Sequence, residues 1–194
     1  MSIPFDQVFP LRRARVHEVY GPGALGFAAV CCAQNDRSVI WVREGWRHEQ
    51  LNPVGLGRFF DPARLLIARA PSQIDALAVT EEALRDGSVP LVVVELSQEI
   101  GLTEGRRLQL AAKAGKATGL CLIPENMGSN AAETRWHAAP VNDPLSDRAA
   151  EDSTLMRWEL KKNKSGTLGV WDVRWTHATH RLDVVSPVGK RPGS

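Results

Sequence analysis

The chain has 194 residues, of which 43% are hydrophobic and 24% are charged. This composition is enough to bury the core of one domain and excludes global disorder. No apolar run reaches the roughly 18 residues that a membrane helix needs, and no apolar signal core follows the arginines at 12, 13 and 15. The three cysteines predict neither a disulfide framework nor a zinc site. We therefore expect one domain over 1–194 in the cytoplasm, with no metal and no cofactor.

Charge is distributed unevenly along the chain. Residues 1–150 carry a net formal charge of −1, whereas residues 151–194 carry +3. An asymmetry of this kind favours a polyanion or an acidic protein as the partner of the C-terminal part.

The first half of the chain alternates between strand and helix patterns after an N-terminal arm over 1–14, which we expect to be loose. Asn52 followed by Pro53 is typical of a helix start, and Ser72 and Gly87 are typical of a helix cap and a helix stop. The predicted elements are a strand over 15–20, a helix over 24–34, a strand over 38–42, a short helix over 53–60, a strand over 64–68 and a helix over 72–87.

The strongest strand pattern is the unbroken apolar run over 90–95, which is typical of a strand buried on both faces of a parallel sheet. A helix over 103–115 and a strand over 118–123 follow. This alternation predicts an α/β fold with a parallel sheet, flanking helices and right-handed crossovers. Beyond Pro140 we expect a mobile loop over 141–153, an antiparallel hairpin of 155–160 and 170–175 with its turn at 162–166, a strand over 181–185 and a flexible tail over 187–194.

A glycine-rich turn after the first strand has the spacing of a phosphate-binding loop, with Gly21, Gly23 and Gly26 as its glycines. A working loop continues with a lysine and a serine or threonine, but Phe27 and Ala28 stand there. ATP hydrolysis by the usual mechanism is therefore excluded. Two interpretations stay open: weak phosphate binding by backbone N–H groups, and a plain strand-to-helix turn.

Carboxylates follow several predicted strands, at the edge where open α/β sheets place their sites. Glu95 stands where a nucleotide hydrolase has its Mg²⁺-reaching aspartate, and Glu44 and Glu125 follow other strands. No serine has a nucleophile-elbow pattern, and the five histidines have no metal-ligand spacing. A hydrolytic enzyme is therefore disfavoured.

The order of these parts resembles the RecA core, and more closely the RecA-like ImuA family, whose relatives include the cell-division inhibitor SulA. The resemblance is carried by the motifs VHEVYGPG (16–23), PLVVVE (90–95), GRRLQLAA (105–112), AAETRW (131–136), ELKKNKSG (159–166) and GVW (169–171).

This resemblance implies an accessory factor of damage-induced mutagenesis in the SOS response. Such a factor acts in translesion synthesis with an ImuB-like polymerase relative and an error-prone replicative-type polymerase. The family lacks the full ATPase apparatus of RecA or keeps it in degraded form, which agrees with Phe27 and Ala28 at the lysine and serine or threonine positions. The N-terminal arm is shorter than the RecA segment that supports filament formation, so RecA-like filaments are not expected. Two alternatives remain: a SulA-like inhibitor of a tubulin-like division protein, against which the basic run 161–164 argues, and a degenerate ATP-binding protein.

The C-terminal part interleaves tryptophans with cations. Trp158, Trp171 and Trp175 either stack on single-stranded DNA or cover one face of the sheet. The resemblance adds Arg135, on a preceding strand, as one further candidate for DNA contact. The candidate cations for DNA or partner contact are Arg135, Arg157, Lys161, Lys162, Lys164 and Arg174.

Overall fold

A computed structural model describes residues 3–142 and 152–185, which form one nine-stranded sheet flanked by helices. The helices are α1 (Ala24–Ala33), α2 (Pro53–Gly57), α3 (Gln73–Asp86) and α4 (Leu102–Gly115). The strands are β1 (Val16–Tyr20), β2 (Val39–Glu44), β3 (Leu65–Ala70), β4 (Leu91–Glu95), β5 (Thr118–Leu122), β6 (Thr134–Pro140), β7 (Ser153–Asn163), β8 (Gly169–Thr176) and β9 (Arg181–Val185). Single 3-10 turns lie at Phe5–Gln7 and Pro62–Arg64.

The sheet has the order β3-β2-β4-β5-β1-β6-β7-β8-β9. The pairings from β3 across to β6 are parallel, and those of β6, β7, β8 and β9 with one another are antiparallel. The prediction of a mixed α/β fold, with a parallel sheet and a C-terminal antiparallel extension, is confirmed.

Local signals placed the element ends. The Ser72 hydroxyl accepts the N–H of Asp75, and Gly87 ends α3 with a φ of 69°, which favours glycine. α2 stops at Gly57, short of the expected residue 60, because its two glycines are weak helix formers and a new capped turn begins after Asp61.

Two hydrophobic cores lie on opposite faces of the sheet. The first core contains α1, residues of α2 and a group of large aromatic side chains, among them Phe27 and Trp136. The second core lies between α3, α4 and the apolar side chains of the parallel strands, such as Val92 and Val94. On this second side of the sheet, β7 and β8 present polar residues, including Arg157 and Asp172. We call the surface that β6–β9 form on this side the outer face.

The described part of the N-terminal arm, residues 3–14, lies on the first core, contrary to the expectation that it is loose. The ring of Phe5 is 5.5 Å from that of Trp171, and the ring of Phe9 is 5.1 Å from that of Trp158. These contacts bury Phe9 and order the arm before β1 begins.

Two predicted segments fall largely outside the described residues. Of the loop over 141–153, only residues 141, 142, 152 and 153 are described, and 153 already belongs to β7; the tail over 187–194 is not described. Within residues 3–142 and 152–185, no helix combines the length and apolarity needed to cross a bilayer.

Candidate functional site

The glycine turn lies between strands whose connecting helices pack on opposite faces of the sheet. α1 follows β1 on the first core, whereas α4 leads to the adjacent β5 on the second core. In open α/β sheets this crevice, at the carboxyl ends of the strands, is the usual ligand site. The turn is therefore in the right place to bind a ligand.

All three glycines pack against β6 and β7. Gly21 has a φ of 97°, and a Cβ there would lie 2.6 Å from the Ala138 carbonyl oxygen. A Cβ at Gly23 would lie 2.9 Å from the Ala138 carbonyl carbon, and one at Gly26 would lie 3.0 Å from Met156 Sδ. Close packing on the Ala138 backbone is thus sufficient to require Gly21 and Gly23, whereas Gly26 meets only the flexible end of Met156.

Few N–H groups of the turn are available to a phosphate. Pro22 has no N–H, Gly23 donates its N–H to the Ala138 carbonyl (2.8 Å), and Ala24 donates to the Gly21 carbonyl (3.0 Å). Phe27, at the lysine position, is fully buried, with its ring centroid 4.4 Å from that of Trp158. This geometry favours a packing turn over an anion site, and nucleotide binding stays a prediction.

Glu95 is held by its neighbours on both carboxylate oxygens. Oε1 accepts from Trp41 Nε1 (2.8 Å) and lies 2.8 Å from Arg43 Nε, while Oε2 accepts from Arg43 Nη2 (3.1 Å). Arg47 Nη1 lies 3.7 Å from Oε2. Glu95 and Arg43 are both buried, so this ion pair links the carboxyl ends of β2 and β4.

The other two strand-end carboxylates differ in exposure. Glu44 is buried and accepts from Trp46 Nε1 (2.8 Å) through Oε2, whereas its Oε1 has no donor within the described residues. Glu125 is exposed in the connection from β5 to β6. In the described part of the chain, no group of three or more His, Cys, Asp and Glu side chains could hold a metal ion.

Arg135 is the counterion of a buried carboxylate. Its Nε lies 2.7 Å from Glu18 Oε2, and its Nη2 donates to the Ser129 carbonyl (2.9 Å). The Ser129 N–H donates to Glu18 Oε1 (2.8 Å). Burial raises the pKa of Glu18, and the hydrogen bond from Arg135 opposes that rise. The arginine that the resemblance offers as a DNA contact therefore stabilises the protein interior.

Two of the candidate lysines bind backbone carbonyls. Lys162 Nζ donates to Asn130 O (3.0 Å) and to Ala132 O, and Lys164 Nζ donates to Ala131 O (2.7 Å). Burial, followed by the charge of nearby Lys164, lowers the pKa of Lys162. These lysines tie the hairpin to the connection before β6.

The remaining candidate cations lie on the outer face. Arg157 forms a two-bond pair with Asp172 (2.8 and 2.9 Å), and Lys161 Nζ lies 2.5 Å from Glu159 Oε2. Arg174 Nη1 donates to Ser153 Oγ (2.8 Å). Arg157 and Lys161 have side chains that are nearly half exposed, so a solvent-borne partner can reach them.

The tryptophans of the C-terminal strands face the opposite way. Trp158 and Trp175 are fully buried and Trp171 is 9% exposed. Their alternation with the cations follows from the strand period of two, which sends neighbouring residues to opposite faces. The alternative that they form core is confirmed, and stacking of bases on these rings is wrong.

Sequence reasoning missed the buried polar groups of β1. His17 lies between Thr134 Oγ1 (2.7 Å) and the Arg12 carbonyl (2.9 Å), and burial lowers its pKa to about 4. Its neighbour Glu18 has the partners described above. The signal was available, because two ionisable residues interrupt an otherwise apolar strand that must be buried on both faces.

Comparison with known proteins shows a similarity to curated ImuA proteins. No protein-family model matches the chain. The chain is 30% identical over 155 residues to Protein ImuA from two strains of Caulobacter vibrioides, NA1000 / CB15N and ATCC 19089 / CIP 103742 / CB 15. The aligned part covers 74% of this chain.

The chain is therefore similar to the ImuA proteins over this aligned part. It spans 62% of the length of the curated relatives that it matches. The resemblance expected from the motifs is confirmed.

Proposed function

We propose that this chain is an accessory factor of damage-induced mutagenesis that works as a binding scaffold in translesion DNA synthesis. The observation that carries the proposal is its 30% identity to Protein ImuA over 155 residues. The family resemblance implies two partners, an ImuB-like polymerase relative and an error-prone replicative-type polymerase.

The glycine turn supports a scaffold without ATP hydrolysis. Phe27 occupies the position of the phosphate-binding lysine and packs among aromatic rings, and Ala28 cannot bind a metal. Glu95, at the Mg²⁺ position, is already bound by Trp41 and Arg43. None of these three side chains can stabilise a transferring phosphoryl group.

A deletion strain tests the role in mutagenesis. We expect loss of the chain to lower the ultraviolet-induced mutation frequency towards the uninduced level while leaving the uninduced frequency unchanged. The wild-type gene on a plasmid should restore the response. An unchanged induced frequency in the deletion strain would contradict the proposal.

We propose in addition that single-stranded DNA is contacted through the outer face. Arg157 and Lys161 are exposed there, and Arg174 is half-buried beside them. Lys162 and Lys164, in contrast, already donate to backbone carbonyls. The two sets of cations are therefore expected to behave differently when they are removed.

Paired variants separate contact from stability. Arg157→Ala/Lys161→Ala/Arg174→Ala should weaken binding to a fluorescent single strand at low salt and reduce its salt dependence, with little change in Tm. Lys162→Ala/Lys164→Ala should lower the Tm and leave binding of the folded protein close to wild type. No binding by the wild type at low salt would refute DNA contact by this chain and leave the scaffold role standing.

A further inference from the structure

The five parallel strands β1–β5 share a regular feature at their carboxyl ends. Each is followed by at least one exposed large apolar side chain, in the segments 21–26, 45–54, 71–75, 96–104 and 124–130, which we call the carboxyl edge. These side chains are Leu25, Trp46, Val54, Ile74, Leu102 and Met127. Five adjacent strands at about 4.8 Å spacing make this edge roughly 20 Å long.

The positions of these side chains are unusual for solvent-exposed residues. Leu25, Val54 and Ile74 are each the second residue of a helix, and Leu102 is the first residue of α4. First turns ordinarily carry acidic or small polar residues, because free N–H groups and the helix dipole favour them. Exposed apolar groups gathered at one edge are typical of an interaction surface.

The exposed charges on this edge are predominantly acidic. Five exposed carboxylates lie in the same segments, and none of them forms an ion pair with a described residue: Glu49, Asp75, Glu99, Glu104 and Glu125. Arg47 is the arginine of these segments, and it lies 3.7 Å from Glu95 and over the Trp46 ring. The potential at this edge therefore repels phosphates and attracts cations.

Glu44 adds a buried negative charge at the same edge. It is 4% exposed, its Oε2 accepts from the Trp46 indole, and its Oε1 has no donor in the described part of the chain. Trp46 itself is 56% exposed, whereas the other five tryptophans are buried.

We propose that the carboxyl edge binds a protein segment that carries both cationic and apolar side chains. The apolar row supplies the area that such a segment would bury, and the unpaired carboxylates select its charge. The proposal deepens the proposed function, on which it rests, by assigning the surface that holds the polymerase relative. It also leaves the outer face to DNA, because an acidic edge disfavours a polyanion.

The test uses an edge variant and a matched control. Leu102→Ser/Met127→Ser removes two apolar groups of the edge, and Leu66→Ser/Leu110→Ser removes two exposed apolar groups elsewhere. Neither change touches the core, and a thermal melt verifies folding. Trp46 stays in both variants, and acrylamide quenching of this exposed indole reports occupation of the edge.

Two probes are titrated: a purified ImuB-like protein, and an 18-residue leucine–lysine amphipathic peptide with its leucine–glutamate counterpart. We expect both the protein and the lysine peptide to shield Trp46, and the glutamate peptide to have no effect. The edge variant should weaken binding of both by at least about tenfold and the control by less than about twofold. Added salt should weaken binding further.

The outcomes separate this inference from the proposed function. Tight binding of the ImuB-like protein that both variants retain would overturn the inference and leave the scaffold role standing. Binding of the lysine peptide at the edge without binding of the ImuB-like protein would overturn the scaffold role and support the edge. Binding of neither probe, or self-association of the chain through this edge instead, would overturn the inference.

Discussion

Arg135→Met preserves most of the apolar length of the side chain and removes the guanidinium that faces Glu18. Glu18 is 1% exposed in the wild type, and after the substitution the carboxylate would keep the Ser129 N–H as a donor and the charge of Lys162 nearby. Removal of one partner from a buried ion pair costs about 3–5 kcal/mol. Because Arg135 is 22% exposed and other groups still compensate Glu18, we expect about 2–3 kcal/mol, or roughly 5–10 °C in Tm for a domain of this size.

The loss should depend on pH with a definite sign. Burial raises the pKa of Glu18, so the folded protein keeps this proton at a pH where the unfolded chain has released it. The contribution of Glu18 to stability therefore falls as pH rises from about 4.3 through its folded pKa. Without Arg135 that pKa rises further, so the difference between variant and wild type should be small in acid and largest near neutrality.

Urea unfolding at pH 4.5 and pH 7.5 measures the effect, with Glu18→Gln as the background that removes the charge. In that background, we expect Arg135→Met to cost less than about 1 kcal/mol. An equal loss at both pH values, or an undiminished loss beside the neutral glutamine, would refute the buried-charge explanation and assign the effect to packing.

The remaining predictions concern the glycine turn and the buried histidine. Gly23→Ala should destabilise the protein more than Gly26→Ala in thermal melts, because its Cβ meets the Ala138 backbone whereas the other meets a flexible methionine end; equal losses would contradict this. Phe27→Lys should cost at least about 4 kcal/mol, because it loses the buried ring and brings an ammonium towards the core, without creating a nucleotide site. A Tm rise of several degrees with millimolar ATP and Mg²⁺ would contradict the packing interpretation. NMR titration should place the pKa of the His17 ring near 4. Because the unfolded chain binds this proton from about pH 6.5 downward, the contribution of His17 to stability should fall as the pH drops from about 6.5 to about 4. A ring that titrates near 6.5 would show that burial does not control its pKa.

Local sequence patterns were sufficient for most of the elements. The apolar run of β4, the capped amphipathic pattern of α3 and the alternation of β7 and β8 were all recognisable, because each depends on neighbours a few residues away. The same alternation made the core interpretation of the tryptophans available before the structure was known. The resemblance to the ImuA proteins was also predictable, and it agrees with the 30% identity to Protein ImuA over 155 residues.

The partners of the charged side chains could not be predicted in this way. Arg135 and Glu18 are separated by 117 positions, and Arg43 and Glu95 by 52, so no local pattern joins them. Whether a cation faces solvent or a buried acceptor depends on which strands become neighbours. That is why the sequence did not show that Arg135 faces a buried carboxylate, or that Lys162 and Lys164 donate to backbone carbonyls.

The sequence by itself determined the alternating elements, the missing phosphate-loop lysine and the resemblance to ImuA proteins, because periodicity, capping and residue chemistry are local properties of the chain. Only the tertiary structure decided that β6 lies beside β1, that the glycine turn packs on Ala138 and that the exposed apolar residues of the helix starts follow the carboxyl ends of adjacent parallel strands. Those features arise when the parallel strands align their carboxyl ends, which brings together residues that lie far apart along the chain.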